Sequence, residues 1–334
     1  MFNEVLYNKA YHTFDISNSK FLITGGAGFI GSNIVEYLLK FNAGHVRVLD
    51  NLSNGYFDNI KEFLKCSNFE FIEGDIRDLD TCYKAIDGID FISHQAALGS
   101  VPRSISDPIA TNDVNIGGFL NMLVASKNSS QLKKFVYAAS SSTYGDSADL
   151  PKVEGNEGNP LSPYAITKLV NELYADIFSR VYGFNSIGLR YFNIFGPKQN
   201  PNNPYAAVIP IFCSHFINNT NPIINGDGLT SRDFTFVENA VQANIKSFET
   251  DFKNSEVFNV ACGDQISLNE MIEMLKAISD KHSIEPIYGS ERVGDVRHSK
   301  ASIQKIKKHL KINDFIDFKS GLRIVYHYYL NSEK

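Results

Sequence analysis

Cysteine is scarce in this chain. Four residues in 334, Cys66, Cys82, Cys213 and Cys262, are scattered without a C-x-x-C pair. That pattern argues against a disulfide framework and a clustered zinc site, so no metal is expected, and it fits a reducing compartment. There is no long basic run either. Lys and Arg number 32 against 37 Asp and Glu, a net charge of −5, which speaks against a nucleic-acid partner. No stretch approaches the length of about eighteen uninterrupted apolar residues that a membrane span needs, so no membrane partner is expected. Residues Met1 to Lys20 hold acidic and polar side chains where a secretory leader needs a basic start and an apolar run; a cytoplasmic location is the expectation. Internal repeats and low-complexity segments are also missing.

What is present is a regular alternation. Short β-branched and aromatic runs fall at Phe21–Thr24, Val46–Asp50, Phe69–Gly74, Phe91–His94, Lys134–Ala138, Ser186–Arg190 and Val257–Val260. Amphipathic stretches lie between them at Ile30–Phe41, Ile60–Lys65, Thr81–Ile86, Ile109–Lys127 and Tyr164–Tyr182. Such alternation predicts an α/β fold: a doubly wound parallel sheet of the Rossmann type with helices on both faces. After Asn193 the rhythm changes to a Pro/Asn-rich loop, KQNPNNPY, and then to helices with little strand. A smaller, mixed α/β C-terminal lobe is expected, interleaved with the first. Residues 1–195 plus 233–262 would form the dinucleotide-binding domain, and 196–232 plus 263–334 the substrate lobe. The two longest helical stretches could pair across a dimer axis, so a homodimer is expected. For the Met1–Lys20 extension the pattern offers only an amphipathic cap over the sheet edge.

Two motifs carry the chemistry. Gly25, Gly28 and Gly31 stand as G-x-x-G-x-x-G between a strand and a helix. A tight turn needs unusual φ, a pyrophosphate must approach bare backbone, and the helix start must lie close to the sheet. The helix N-terminus then offers unpaired N–H groups to phosphate. Asp50 ends the second strand, where a carboxylate accepts hydrogen bonds from an adenosine ribose and repels a 2′-phosphate, so NAD is preferred over NADP. Arg47, three residues earlier, faces the other way by strand alternation. Asp75, ending FIEGD, is placed to reach the adenine.

The second motif is Tyr164 and Lys168, spaced i, i+4 and so on one helix face. Free tyrosine, with a pKa near ~10, is a poor base at neutral pH. An adjacent ammonium and an oxidised nicotinamide would favour the phenolate, which could then take a proton from a sugar hydroxyl while hydride leaves the same carbon. Ser162-Pro163 starts a helix well and puts Tyr164 in its first turn. Upstream, AASSSTYG ends the strand begun at Lys134, and polar residues at the carboxyl end of a sheet strand face the ligand crevice. Ser140 and Ser142 share one side by alternation.

Together these segments resemble the extended short-chain dehydrogenase/reductase family over nearly the whole chain, and within it the UDP-sugar 4-epimerases. The likeness rests on TGGAGFIGSNIV, DNLSNG, GDIRD, HQAA, SSSTYGD, SPYAITK, LRYFNIFGP, SRDF and RVGDVRHS; LGSVPRSISDP is similar to the subgroup acting on N-acetylated UDP-hexosamines. The resemblance implies inversion at C4 of a UDP-hexose. Tyr164 would remove the 4-OH proton, hydride would pass to NAD, and the 4-keto sugar would turn over and take the hydride back. It implies Ser140, Tyr164 and Lys168 as catalytic residues. Cofactor contacts would come from Gly25, Gly28, Phe29, Ile30, Gly31, Asp50, Asn51, Asp75, Ile76, Gln95, Asn115, Tyr164 and Lys168. Substrate contacts would come from Ser142, Asn193, Val208, Arg232, Arg292, Asp295 and Ser299. Arginine suits a diphosphate because its forked donors pair two oxygens. Ser299 falls where related epimerases carry either tyrosine or a smaller residue, and a small side chain leaves room for an N-acetyl group; it also reads as a helix-initiating serine. A dehydratase of this type would carry a carboxylate before the tyrosine of the strand-end motif. Ser141, Ser142 and Thr143 stand there instead. A UDP-glucuronate 4-epimerase needs only a different sugar at the same core, and a non-catalytic NAD sensor would be expected to have lost Tyr164 or Lys168.

Overall fold

The computed structural model describes residues 5–200, 207–290 and 297–332. In chain order the first half contains β1 (Lys20–Thr24), α1 (Phe29–Lys40), β2 (His45–Asp50), β3 (Phe69–Glu73), α2 (Leu79–Ile86), β4 (Phe91–His94), α3 (Val101–Ser106), α4 (Pro108–Asn112), α5 (Phe119–Lys127), β5 (Lys134–Ser140), α6 (Pro163–Tyr182) and β6 (Ser186–Tyr191). Then follow β7 (Ile194–Phe195), α7 (Val208–Ile217), β8 (Ile223–Asn225), β9 (Ser231–Arg232), β10 (Thr235–Phe236), α8 (Val237–Phe248), β11 (Glu256–Val260), β12 (Ile266–Ser267), α9 (Leu268–Ser279), β13 (Ile287–Gly289), α10 (Gln304–His309) and α11 (Phe318–Ser332).

Seven strands form one parallel sheet in the order β11-β6-β5-β4-β1-β2-β3. The order reverses between β1 and β4, and in sheets of this kind the crevice beyond the strand carboxyl ends at that reversal is where ligands bind. The inner strands are apolar on both faces, as burial between two helical layers requires: Phe21, Leu22 and Ile23 of β1 are completely buried. One layer, built around α1, α8 and the C-terminal helices, shares the larger core with Ile34, Leu38, Val241 and Phe258; the other, around α2, α5 and α6, packs Cys82, Phe119, Met122 and Phe178 against Leu22 and Phe135.

All seven expected strands and the main helices form. Three features differ from the sequence expectation. The helical stretch Ile109–Lys127 is not one α-helix, because Asp113–Gly118 adopts π-helical turns between α4 and α5. Gly118 lies so close to Ile76 that a Cβ would sit 2.5 Å from its Cδ1, and the wider turn accommodates that approach. The C-terminal part holds more strand than expected, as three two-stranded pieces: β7 with β10, β8 with β13, and β9 with β12. Finally, residues 5–19 form no helix and do not cap the sheet edge. Tyr7 and Tyr11 instead pack their rings on Tyr37 of α1.

Candidate active site

A cleft of about 450 Å³ opens at the carboxyl ends of the strands. At one end stands the glycine loop. Gly25 has φ +66°, and a Cβ there would lie 2.7 Å from the Ala96 nitrogen; a Cβ on Gly31 would lie 2.2 Å from the Gly25 carbonyl oxygen. The glycines are therefore required by packing as well as by turn geometry. Gly28 caps α1 with no side chain, so bare backbone N–H groups face the cleft. Asp50 anchors this loop. Its carboxylate accepts the N–H of Ala27 at 3.0 Å and of Leu52 at 2.8 Å. Burial raises its pKa, and those two N–H groups oppose the rise. Asp75 lines the same end. Hydrogen bonds from Arg77, chiefly, and from Asn51 hold its pKa down at about 2 despite some burial, so it is an anion throughout the physiological range. This cradle, with its uncapped helix start and ribose-side carboxylate, fits a dinucleotide. Arg47 turns away, onto Glu70 at 2.7 Å, as strand alternation predicts.

At the middle of the cleft are Ser140, Tyr164 and Lys168. Ser162 caps α6 by accepting the Ala165 N–H at 3.1 Å, and Pro163 occupies the first turn; this aims Tyr164 into the cleft. Ser142 donates to the Ser140 Oγ from its hydroxyl at 2.9 Å and from its backbone N–H at 3.2 Å. With Ser142 supplying both donors, the Ser140 hydroxyl hydrogen is left for Tyr164, and that hydrogen bond favours the phenolate.

Lys168 is anchored on β5. Its Nζ donates to the Ala138 carbonyl at 2.7 Å and lies 6.0 Å from the Tyr164 ring centroid. Burial outweighs every other influence on the phenol and raises its pKa. The same burial lowers Lys168 to about 8, opposed by Glu172 one helical turn further on. Burial thus disfavours the phenolate, and a further positive charge in the cleft would favour it. Glu172 is in turn neutralised by Arg190, at 2.9 and 2.6 Å, which also pairs with Glu157.

Most expected contacts line this cleft: Gly25, Gly28, Phe29, Ile30, Gly31, Asp50, Asn51, Asp75, Ile76, Gln95, Ser140, Tyr164, Lys168 and Asn193. Asn115 does not. Its amide is spent on the Leu98 N–H at 2.7 Å, the Leu98 carbonyl at 3.1 Å and Thr167 at 3.1 Å, so it braces the wall from behind while Val114 lines it. Ser142 is turned onto Ser140. Val208 begins α7 one residue beyond Ala207, which does line the cleft. Arg232 and Ser299 lie outside the cleft wall: the Arg232 guanidinium donates to the Ser231 and Arg297 carbonyls, and the Ser299 N–H donates to the Ser231 carbonyl. Arg292 and Asp295 fall outside the described residues.

Sequence reading missed several wall residues. Tyr191 donates to Gln95 Oε1 at 3.1 Å and accepts from Asn244 at 2.8 Å, while Gln95 returns an N–H to Asn244 at 3.2 Å, a closed ring of hydrogen bonds at the cleft wall. Gln199 also lines the cleft, and its side-chain oxygen is buried without a hydrogen-bond partner. Polar residues at strand carboxyl ends were the available signal for Tyr191; nothing in the sequence marked Asn244, 149 residues from Gln95.

Comparison with known proteins agrees with this geometry. The family model of the NAD dependent epimerase/dehydratase family matches residues 21–261. The chain belongs to that family. It is similar, at 38% identity and TM-score 0.89 over 95% of this chain and 99% of the other, to a UDP-N-acetylglucosamine 4-epimerase from Methanobrevibacter ruminantium solved in complex with UDP-N-acetylmuramic acid. A UDP-glucose 4-epimerase from Thermotoga maritima solved with UDP-glucose gives 33% and 0.87, over 94% and 100% of the two chains. A UDP-glucuronic acid 4-epimerase from Bacillus cereus solved with UDP-glucuronic acid and NAD gives 30% and 0.85, over 94% and 100%. NAD is thus the family's cofactor, and the cradle described above has the features to hold it.

Proposed function

We propose that this protein inverts C4 of a UDP-hexose, with UDP-N-acetylglucosamine and its C4 epimer as the substrate pair. The observation that carries the reaction type is the convergence of Ser140, Tyr164 and Lys168 on a dinucleotide cleft, with serines and threonine, not a carboxylate, at 141–143. Bound NAD supplies a hydride acceptor that can return what it takes. The chain's part is proton transfer and orientation. Tyr164 takes the proton of the 4-hydroxyl and later gives it back; Ser140 donates to the phenolate; Lys168 contributes charge from one helical turn away. Positions 141–143 offer no carboxylate to protonate a departing hydroxyl, which favours inversion over elimination.

The N-acetyl preference is supported by the LGSVPRSISDP segment and by the similarity to the Methanobrevibacter enzyme. Arg232, Arg292 and Asp295 are assigned to the nucleotide diphosphate in this reading. Incubation with UDP-GlcNAc, UDP-glucose and UDP-glucuronate separately, followed by NMR of the anomeric and C4 protons, tests it. Fastest inversion of UDP-GlcNAc is expected; fastest inversion of UDP-glucuronate would reassign the sugar, and elimination would overturn the reaction.

We further propose that the protein is a cytoplasmic homodimer. Ile166, Leu173, Ile177 and Val181 form an exposed apolar stripe along α6, which a second copy would bury, and the four cysteines are unpaired. Light scattering at the size of two chains is the expected result.

A further inference from the structure

The segment before β1 has no task in the reaction proposed above, yet it is firmly held. Leu6, Tyr7, Tyr11 and Ile16 are buried in the larger core. The Tyr7 N–H donates to Glu238 at 3.0 Å, Tyr11 donates its hydroxyl to the same carboxylate, and Lys40 donates to the Leu6 carbonyl at 2.6 Å.

A path runs from this segment to the cleft. The Tyr7 hydroxyl donates to Asn33 Oδ1 at 2.8 Å. That bond fixes the Asn33 amide, whose Nδ2 donates to the Phe29 carbonyl at 2.9 Å and to the Pro197 carbonyl at 3.1 Å. Pro197 precedes the stretch Lys198–Asn200, which lines the cleft after β6 together with Asn193 and Ala207. Lys198 has φ +71°, a left-handed conformation that a non-glycine residue keeps only when its surroundings over-determine it. Its side chain turns back onto α1, pairing with buried Glu36 at 2.8 Å and donating to the Ser32 carbonyl at 3.2 Å. Tyr329 holds the Gln199 carbonyl from the other side. The wall is therefore fixed at its entry by one face of α1, and the N-terminal segment sets the orientation of Asn33 on that face.

We propose that residues 5–16 are a strap that positions the Pro197–Asn200 wall through Tyr7 and Asn33, and thereby sets the affinity for the nucleotide sugar. Tyr7 is a positioning residue, remote from the reacting atoms. The affinity part rests on the proposed function; the positioning part does not.

Three proteins test it, each loaded with NAD: wild type, Tyr7→Phe, and a protein lacking residues 1–12. Tyr7→Phe loses one buried hydrogen bond and should raise KM for the UDP-sugar about three- to tenfold, with kcat and NAD content little changed. The truncation should do the same or more. Combined with Lys198→Met, Tyr7→Phe should add less than its separate factor, because both act on one wall. Hydrogen exchange at the amides of residues 198–200 should quicken in Tyr7→Phe with no substrate present. If exchange and KM both stay at wild-type values, even with a lowered melting temperature, the strap is merely structural and the proposal is overturned. If wild type turns over no UDP-sugar, the proposed function fails, and the exchange measurement still decides the positioning role. If the truncated protein does not fold, Tyr7→Phe decides alone.

Discussion

The two ends of the cleft are built differently. The cofactor end is local: one strand, one glycine turn and one helix start supply the cradle, and Asp50 ties it to β2 within thirty residues. The sugar end is assembled from distant pieces. Asn193, which lines the cleft, donates to the Asp233 carbonyl at 3.0 Å, and the buried Asp233 carboxylate behind it accepts N–H groups from Cys262 at 3.0 Å, Gly263 at 3.1 Å and Ala301 at 3.1 Å, so three separate stretches of chain meet there. A local cradle is defined by spacing along the chain; an assembled wall is defined by contacts that spacing does not encode. Substitutions at the cofactor end should therefore remove a function outright, and those at the sugar end should shift preference.

The largest effect is expected between the two ends. Tyr164→Phe keeps the ring and loses the proton carrier, so kcat should fall about 10²–10⁴-fold while NAD and UDP-sugar still bind; near-normal inversion by this variant would remove the role assigned to it. Next is Gly31→Ala. Its Cβ would meet the Gly25 carbonyl at 2.2 Å, and bound NAD, measured by absorbance after denaturing the purified protein, should drop by about tenfold or more in affinity terms. Ser299 stands outside the cleft wall, so Ser299→Tyr should reduce turnover of UDP-GlcNAc and UDP-glucose by about the same factor; a selective loss of UDP-GlcNAc would show that the position senses the C2 substituent.

The smallest effect is in stability. Burial lowers Lys168 to about 8 in the folded chain, whereas an unfolded lysine holds its proton to ~10.4. Between those values the unfolded state binds more protons, so this group's contribution to stability rises with pH across the window and is most unfavourable below it. Urea unfolding of wild type and Lys168→Met at pH 7 and pH 9.5 should show that slope in the wild type and lose it in the variant. The same deprotonation should lower kcat/KM as pH rises through about 8.

What was legible in the sequence follows the same division. The sheet strands and the glycine cradle could be read because alternation, turn residues and helix caps act over a few residues, as with Ser162-Pro163 ahead of Tyr164. Asn115 was legible as a residue near the site, but which way its amide points depends on Leu98 and Thr167. The π-helical turns at Asp113–Gly118 bring Gly118 against Ile76, and the N-terminal segment meets Asn33, Tyr37 and Glu238; no local pattern announces such partners. The electrostatics of Tyr164 and Lys168 were half legible. Their shared helix face could be read from spacing, but the depth of burial, which reverses the direction of the phenol's shift, could not.

The most direct test is an ultraviolet titration of the Tyr164 phenol, taken as the difference between wild type and Tyr164→Phe, with NAD removed and with NAD bound. The account predicts ionisation at or above the ordinary tyrosine value of ~10 without the cofactor, since burial raises it, and a clear fall once the cofactor's charge is present. A phenol that ionises near neutrality in the empty protein, or that titrates identically with and without NAD, would contradict it.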